Sequence, residues 1–322
     1  MFKIKELDSE ILKAIGTEFV SDLVKISSKD DPSKFCIMPK KFADHYLERI
    51  KNMEIFEDDI WIVTFPKCGT TWTQEMAWMI NNNLDYETAL NVKLNARFPF
   101  LEFNGIHSGF DFDSFEQCKN MPRPRHIKSH LPLFLLPDQL WSVNPKIIYV
   151  IRNPKDTAVS WYHHHRYMLE YKGTKNDLIK AFASDLAFNS PMNGHVLDFW
   201  NIRNQSNVLF LFFEDMKRNL NQEVKKMMKF LDKNYSQDQI NKLCQHLSFE
   251  SIKSNKMVNK DDEIKEMMDS VGRTFKQDEF SFIRQGKVGA YENELSADEI
   301  KMLNKYAEDS TLKDAGFEYK FI

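Results

Sequence analysis

The sequence predicts an α/β protein built on a central parallel sheet with helices on both faces. Three observations predict it. Short unbroken apolar runs rich in Ile, Val, Phe and Tyr recur along the chain; each leads through a turn into a helical pattern; and only 10 Gly and 11 Pro in 322 residues leave no linker-like break between them. Strands covered on both faces read as continuous apolar runs, whereas sheets with one wet face alternate. Parallel neighbours also need long crossovers, usually helical. In such sheets ligands bind beyond the carboxyl ends of the strands, where loops enter helices.

The first run is Ile60-Trp61-Ile62-Val63-Thr64-Phe65, with a helix expected over about 71–81. His126-Ile127-Lys128-Ser129-His130-Leu131-Pro132 reads as a short strand ended by Pro132, which puts Lys128 and His130 on the same side. Lys146-Ile147-Ile148-Tyr149-Val150-Ile151 leads to a helix from about Asp156, and the run over 208–213 precedes an amphipathic stretch over 221–231. Residues 254–278 are rich in Lys, Asp and Glu and poor in periodic apolar residues; they read as a solvated loop or as a mobile lid over a site. No internal repeat or composition break appears, so 1–322 is read as a single domain.

Composition narrows the function classes. A 42% apolar, 28% charged chain is ordinary for a globular protein, and a net charge of −3 is too balanced for a general nucleic-acid or anionic-membrane binder. Any anionic ligand must meet local positive charge. Cys36, Cys68, Cys118 and Cys244 form no CxxC pair, so reduced thiols are expected rather than a zinc ribbon or disulfide frame. The N-terminus is charged where a signal peptide needs an apolar core, and no run approaches the ~18 apolar residues of a membrane span. A cytoplasmic protein is expected.

After the first strand comes Phe65-Pro66-Lys67-Cys68-Gly69-Thr70-Thr71-Trp72. A strand, a Gly-containing loop and a helix start make an anion site, because the first helical N–H groups lack internal partners and the helix dipole favours negative charge there. Lys67 supplies charge, Gly69 permits close approach, and Thr70 and Thr71 add hydroxyls. A Walker A loop is excluded, since it needs Lys directly after the second Gly of GxxxxGK[ST], and Lys67 precedes Gly69. Cys68 reads as a small residue chosen for space. Beyond the strand at 146–151 stand Arg152, whose planar fork can grip a second phosphate, Pro154 near a helix start, and Ser160 about one turn into that helix. Phe282-Ile283-Arg284-Gln285-Gly286-Lys287-Val288-Gly289 is a further phosphate clasp by composition.

His130 is a candidate general base, since an imidazole with pKa near ~6.5 can take a proton from a hydroxyl at neutral pH. Lys128 beside it can stabilise charge on a transferring group. No metal site is supported: His163, His164 and His165 are adjacent on a helix and diverge by ~100° per residue. His126 and His130 stand ~13 Å apart along a strand.

Together these segments resemble the cytosolic sulfotransferase family. The matching stretches are Thr64 through Trp72, Lys128 through Pro132, Tyr149 through Asp156 and Phe213-Glu214-Asp215-Met216, with a weaker match at Phe282 through Gly286; they follow the family's order and span roughly residues 40 to 320. The resemblance implies a single α/β domain with a P-loop-like nucleotide-binding fold and a donor, 3′-phosphoadenosine 5′-phosphosulfate (PAPS), that leaves as 3′-phosphoadenosine 5′-phosphate (PAP). It implies that Lys67, Cys68, Gly69, Thr70, Thr71 and Trp72 bind the 5′-phosphosulfate end, with Trp72 on the adenine. Arg152, Ser160, Arg284 and Gly286 would hold the 3′-phosphate, within a clasp that also includes Phe282, Ile283 and Gln285. Leu247, Phe249 and Phe213 match further nucleotide positions. His130 would be the base, Lys67 and Lys128 the supporting cations, and Phe100, Lys128, His130 and His164 would face the hydroxyl acceptor.

Three positions and one motif depart from the family's pattern. Phe213 stands where Tyr is frequent, Gln285 replaces a usual Lys, and His164 takes a position often held by Phe. The family's dimer motif, KxxxTVxxxE, aligns with Glu292 through Lys301, with both end charges reversed and Ser296-Ala297 in the middle, so homodimerisation through it is in doubt. Two rival readings stand beside a sulfotransferase. One is a Mg²⁺-dependent small-molecule kinase, with 208–213 and Glu214-Asp215 imitating a Walker B strand; the other is a non-catalytic binder of small apolar molecules. The acceptor itself, whether phenol, catechol or hydrophobic alcohol, is left open.

Overall fold

The computed structural model describes residues 1–7, 22–107, 109–168, 171–270, 272 and 281–321. Its central sheet has four parallel strands in the order β5-β4-β6-β7: β4 (Ile60–Thr64), β5 (His126–Ser129), β6 (Lys146–Ile151) and β7 (Val208–Phe212). The register aligns Ile60 with His126 on one side and with Lys146 on the other, and Ile147 with Val208. Side chains alternate across the sheet. Ile60, Ile62, Ile148, Val150 and Leu211 pack with Met76, Met79, Val224 and Met227 on one face. Trp61, Val63, Ile147 and Tyr149 pack with Trp161, Phe182, Val196 and Phe199 on the other. Both faces are therefore covered, as the unbroken apolar runs require, and each fully buried Ile or Val side chain contributes roughly 1.5–3 kcal/mol.

Helices follow the strands as expected, at Thr70–Asn81, Pro154–Met168 and Leu220–Phe230. Pro154 opens the second of these, where its missing N–H costs nothing. The Asn153 side chain accepts from the Lys155 N–H at 2.8 Å and the Asp156 N–H at 3.3 Å, capping the same end.

The structure corrects three sequence expectations. An antiparallel sheet of β1 (Phe2–Glu6), β2 (Leu23–Ser28) and β3 (Phe35–Pro39) was not foreseen. Its edge strand β1 is mostly exposed and charged, the central β2 is interrupted by Lys25 and ends in Ser27-Ser28, and β3 ends at Pro39, so no unbroken apolar run leading into a clear helical pattern betrayed it. The strand ending at Ser129 stops one residue before His130, which lies on the loop beyond it. Residues 254–278 are not a loop throughout. A helix spans Asp261–Ser270, with Asp261, Asp262 and Glu263 in its first turn and Ile264 and Met268 buried against Met168. Two buried apolar residues four apart are one turn of helix, too short a period to stand out among charges. Residue 271 and residues 273–278 of that stretch lie outside the described residues. The altered dimer motif also has a local meaning: Ser296 caps the Ala297–Ala307 helix in a capping box with Glu299. Among the described residues no helix is long and apolar enough to cross a membrane.

Candidate active site

The loops leaving the carboxyl ends of all four parallel strands meet at one cavity of about 790 Å³. Pro66 and Lys67 follow β4, His130 follows β5, Arg152 follows β6 and Phe213 follows β7. Gly69, the residue before the Thr70–Asn81 helix, has φ +103, and a Cβ there would lie 2.7 Å from Cδ2 of Phe213. Gly286 repeats the arrangement: φ +58, with a Cβ that would lie 2.4 Å from Phe249. Both glycines thus bring backbone against an aromatic ring at the cavity wall. The Trp72 indole N–H donates to the Leu247 carbonyl at 2.9 Å, and its ring meets Phe213 edge-on at 5.7 Å. Trp72, Phe213, Leu247 and Phe249 thereby form an aromatic and apolar wall beside the loop.

Cations crowd the same end. Lys67, Lys128, Arg152, Lys260 and Arg284 all line the cavity. The Lys67 ammonium sits 4.6 Å from the Phe282 ring centre, with that of Lys260 5.6 Å from the same ring. Burial, then the charges of Arg152, Lys260 and Arg284, push the Lys67 ammonium down to about 8. Burial and then Lys260 hold Lys128 well below the ordinary lysine value. Arg152 lies 4.5 Å from the Phe213 ring and donates to the Lys287 carbonyl at 2.7 Å, yet its Nε is buried without a partner. A buried unpaired donor amid mutually repelling cations fits a polyanion carrying more than one phosphate or sulfate. Arg284 also pairs with Glu294, which His163 contacts at 2.5 Å, so that clasp is anchored from behind.

His130 stands where this cationic end meets an aromatic lobe. Its Nδ1 is 2.8 Å from the Thr64 carbonyl, which can only accept, so Nδ1 carries the proton and Nε2 keeps the lone pair. The His130 main-chain N–H donates to Oε1 of Glu102 at 2.5 Å, and its main-chain carbonyl accepts from His195 Nε2 at 3.2 Å. His195 Nδ1 in turn accepts from the Tyr149 hydroxyl at 2.9 Å. Burial first, then the charge of Lys128, drives the His130 imidazole well below its ordinary range, so it is neutral near pH 7. A neutral imidazole bonded at one ring nitrogen, on a main chain held at its N–H and carbonyl, is a base held in place.

Backbone pairing of Lys128 with Pro99 and Leu101 at 2.9 Å each sets Phe100 beneath the Lys128 ammonium, 3.9 Å from its ring centre. The Phe100 ring meets His130 edge-on at 5.1 Å. Beyond it Phe103, Ile106, Phe110, Phe112, Met168, Phe188, Ile264 and Met267 line an apolar lobe. His164 opens onto the same cavity with Nδ1 buried and unpartnered, its imidazole held well below the ordinary range by burial and then Lys67. His163 turns to Glu294, and His165, which also borders the cavity, accepts the Trp161 indole N–H at 2.8 Å.

The structure brings together nearly every residue singled out in the sequence. Lys67, Gly69, Thr70, Thr71, Trp72, Phe100, Lys128, His130, Arg152, Ser160, His164, Phe213, Leu247, Phe249 and Phe282 through Gly286 all face the cavity. Cys68 does not: its thiol is buried, 3.7 Å from the Thr157 hydroxyl, and burial raises it to about 12. Only its main chain belongs to the loop, as a small residue chosen for space would. Sequence reasoning missed the supports of His130, Glu102 and His195, and it missed Lys260. A buried Glu beside Phe100 and a lone His in a helix carry no spacing signal, and Lys260 lay in a stretch that read as solvated. Among the described residues no group of three or more His, Cys, Asp or Glu is placed to hold a metal.

Residues 57–316 match the family model described as the sulfotransferase domain. The chain is 35% identical over 278 residues to luciferin sulfotransferase of Photinus pyralis, covering 82% of this chain and 74% of that protein. It is 36% identical over 280 residues to sulfotransferase 1 family member D1 of Mus musculus, covering 84% and 90%. Among solved structures, retinol dehydratase in complex with androsterone and inactive cofactor PAP superposes with a TM-score of 0.87 at 27% identity, covering 99% of this chain and 98% of that one.

Proposed function

The chain belongs to the sulfotransferase family, and from that premise we propose that it transfers a sulfuryl group from PAPS to a hydroxyl of an apolar small molecule, with His130 as general base. The observation that carries this reading is the neutral His130 imidazole between a cationic end and an aromatic lobe, its Nδ1 fixed on the Thr64 carbonyl and its main chain held by Glu102 and His195. PAP in the retinol dehydratase complex supports the choice of donor. So do the buried unpaired Arg152 Nε and the two glycines that no side chain can replace without a clash.

Bound PAPS supplies a sulfur activated by a phosphosulfate anhydride. Lys67 and the N–H groups of the loop over 67–71 hold the 5′ end, and Trp72, Phe213, Leu247 and Phe249 hold the adenine. Arg152, Ser160 and Arg284 hold the 3′-phosphate. Gln285 adds no charge to that clasp, so Arg152 carries more of it. The acceptor oxygen lies over Phe100 within reach of His130 and His164. His130 Nε2 takes the hydroxyl proton as the acceptor's O–S bond forms. The S–O bond to the 5′-phosphate breaks, its electron pair stays on the phosphate oxygen beside Lys67, and PAP leaves. Lys128 meets charge on the sulfuryl oxygens.

The kinase alternative finds its carboxylates committed. Glu214 accepts the Asn153 N–H at 2.8 Å, and Asp215 pairs with Arg218 and Lys320. We read 1–322 as one sulfotransferase domain, working in the cytoplasm where its four unpaired cysteines stay reduced. Likeness to retinol dehydratase favours a second outcome, in which the sulfated alcohol goes on to lose sulfate and leave an alkene.

The test is a panel of phenols, catechols and long apolar alcohols incubated with sulfur-labelled PAPS or, in parallel, with ATP and Mg²⁺, each with and without a chelator, and read by mass spectrometry. Labelled sulfate ester formed equally with chelator supports transfer. An alkene with released labelled sulfate supports the second outcome. Phosphorylated product from ATP, lost with chelator, overturns both.

A further inference from the structure

We propose that Lys260 is a third cationic contact of the transferring sulfuryl group, beside Lys67 and Lys128; this rests on the sulfotransferase reading of the cavity. Lys260 lies outside the five short motifs quoted for the resemblance, though within the span that matches the family model, and its role follows from where the chain places it.

Three observations carry it. Lys260 lines the cavity and is only partly exposed, with its ammonium donating to Oδ1 of Asn95 rather than to a carboxylate. It shares the Phe282 ring with Lys67, at 5.6 Å and 4.6 Å from the ring centre. It is also the charge felt most strongly by Lys128, ahead of Glu102 and Lys67. Lys260 thus opposes the charge of both Lys67 and Lys128, while burial lowers its own ammonium against the opposing pull of Glu263, and on this reading all three stand where the anhydride end of the donor sits. Such a cluster is stabilised by an anion that reaches all three.

The backbone around Lys260 is clamped, so its position is not a free side chain's accident. Asp261 accepts the Phe282 N–H at 2.6 Å and the Ser281 hydroxyl at 3.2 Å. Asn259 donates to the Lys253 carbonyl at 2.8 Å and to Asp261 at 3.1 Å. These bonds tie Lys260 to the same segment that carries Phe282 and Arg284. The donor clasp and the third cation are thus one structural unit.

The experiment compares wild type, Lys260→Met and Lys260→Arg for turnover with PAPS and a reactive acceptor, and for calorimetric affinity toward PAP and toward PAPS without acceptor. PAP lacks the sulfuryl group, so it reports the clasp alone. Expected for Lys260→Met is a fall in kcat of about 10–100-fold, as for loss of one charge-assisted hydrogen bond. PAP affinity should be nearly unchanged and PAPS affinity reduced, with Lys260→Arg recovering most of the loss. Wild-type turnover in Lys260→Met, equal loss of PAP and PAPS affinity, or an Arg variant as poor as the Met variant overturns the inference. If wild type itself moves no sulfuryl group, the reading of the site fails instead.

Discussion

Gly69→Ala tests the donor cradle, and its effect can be worked from the structure. The residue's φ of +103 is one that L side chains rarely adopt, which costs of order 1–3 kcal/mol. The new Cβ would stand 2.7 Å from Cδ2 of Phe213, so the ring must retreat by about 0.7 Å to reach ordinary contact near 3.4 Å. Phe213 cannot retreat alone, because Arg152 lies 4.5 Å from its ring and Trp72 meets it edge-on. The substitution therefore disturbs both the proposed phosphate grip at Arg152 and the proposed adenine wall at Trp72 and Phe213. We expect PAP to bind at least ~10-fold more weakly, equivalent to ~1.4 kcal/mol. Gly316→Ala is the control, since Gly316 has φ +69 with nothing within 4 Å of a built Cβ. It should lose comparable thermal stability and no PAP affinity. Calorimetric titration with PAP and thermal melting of the two variants decide the matter. A Gly69→Ala protein that binds PAP within about twofold of wild type would refute the reasoning, as would equal weakening by Gly316→Ala.

Two further predictions follow from the electrostatics. The Lys67 ammonium is lowered to about 8 in the free protein, from an ordinary 10.5, and a bound anion restores it. PAP binding should therefore take up a proton above pH 8, with affinity falling by up to about tenfold per pH unit from there toward pH 10. Calorimetry at pH 9 in buffers of different ionisation heat measures that uptake, and Lys67→Met should reduce it, leaving only what Lys128 and Lys260 contribute. Glu102→Ala leaves the buried His130 N–H without its acceptor and should cost roughly 1–3 kcal/mol in stability, with kcat falling about tenfold or more. Glu102→Gln keeps an acceptor oxygen and should recover most of the rate; urea melts and steady-state kinetics on the pair check it.

The parallel sheet was legible because its strands are buried on both faces, so that Ile60, Trp61, Ile62 and Val63 form an unbroken run whose members serve two different cores. The loop we assign to the donor was legible because Lys67, Gly69 and Thr70 are local, and a glycine with positive φ leaves a mark in sequence. What the sequence hides is long-range and conformational. His195 reaches the His130 carbonyl across 65 positions, and Glu102 reaches its N–H across 28, with no spacing rule to join them. Lys260 was hidden for another reason: charged residues around it suggested solvent, but Ile264 and Met268 turn one face of the following helix inward. The antiparallel sheet escaped because the exposed face of Phe2–Glu6 reads as polar chain.

The central claim is that His130 is the base for sulfuryl transfer. Turnover of labelled PAPS by wild type and His130→Ala, each with its PAP affinity measured alongside, tests it most directly. The account predicts a fall in kcat of at least ~10²-fold in the variant with PAP affinity nearly intact. Full turnover by His130→Ala would contradict it.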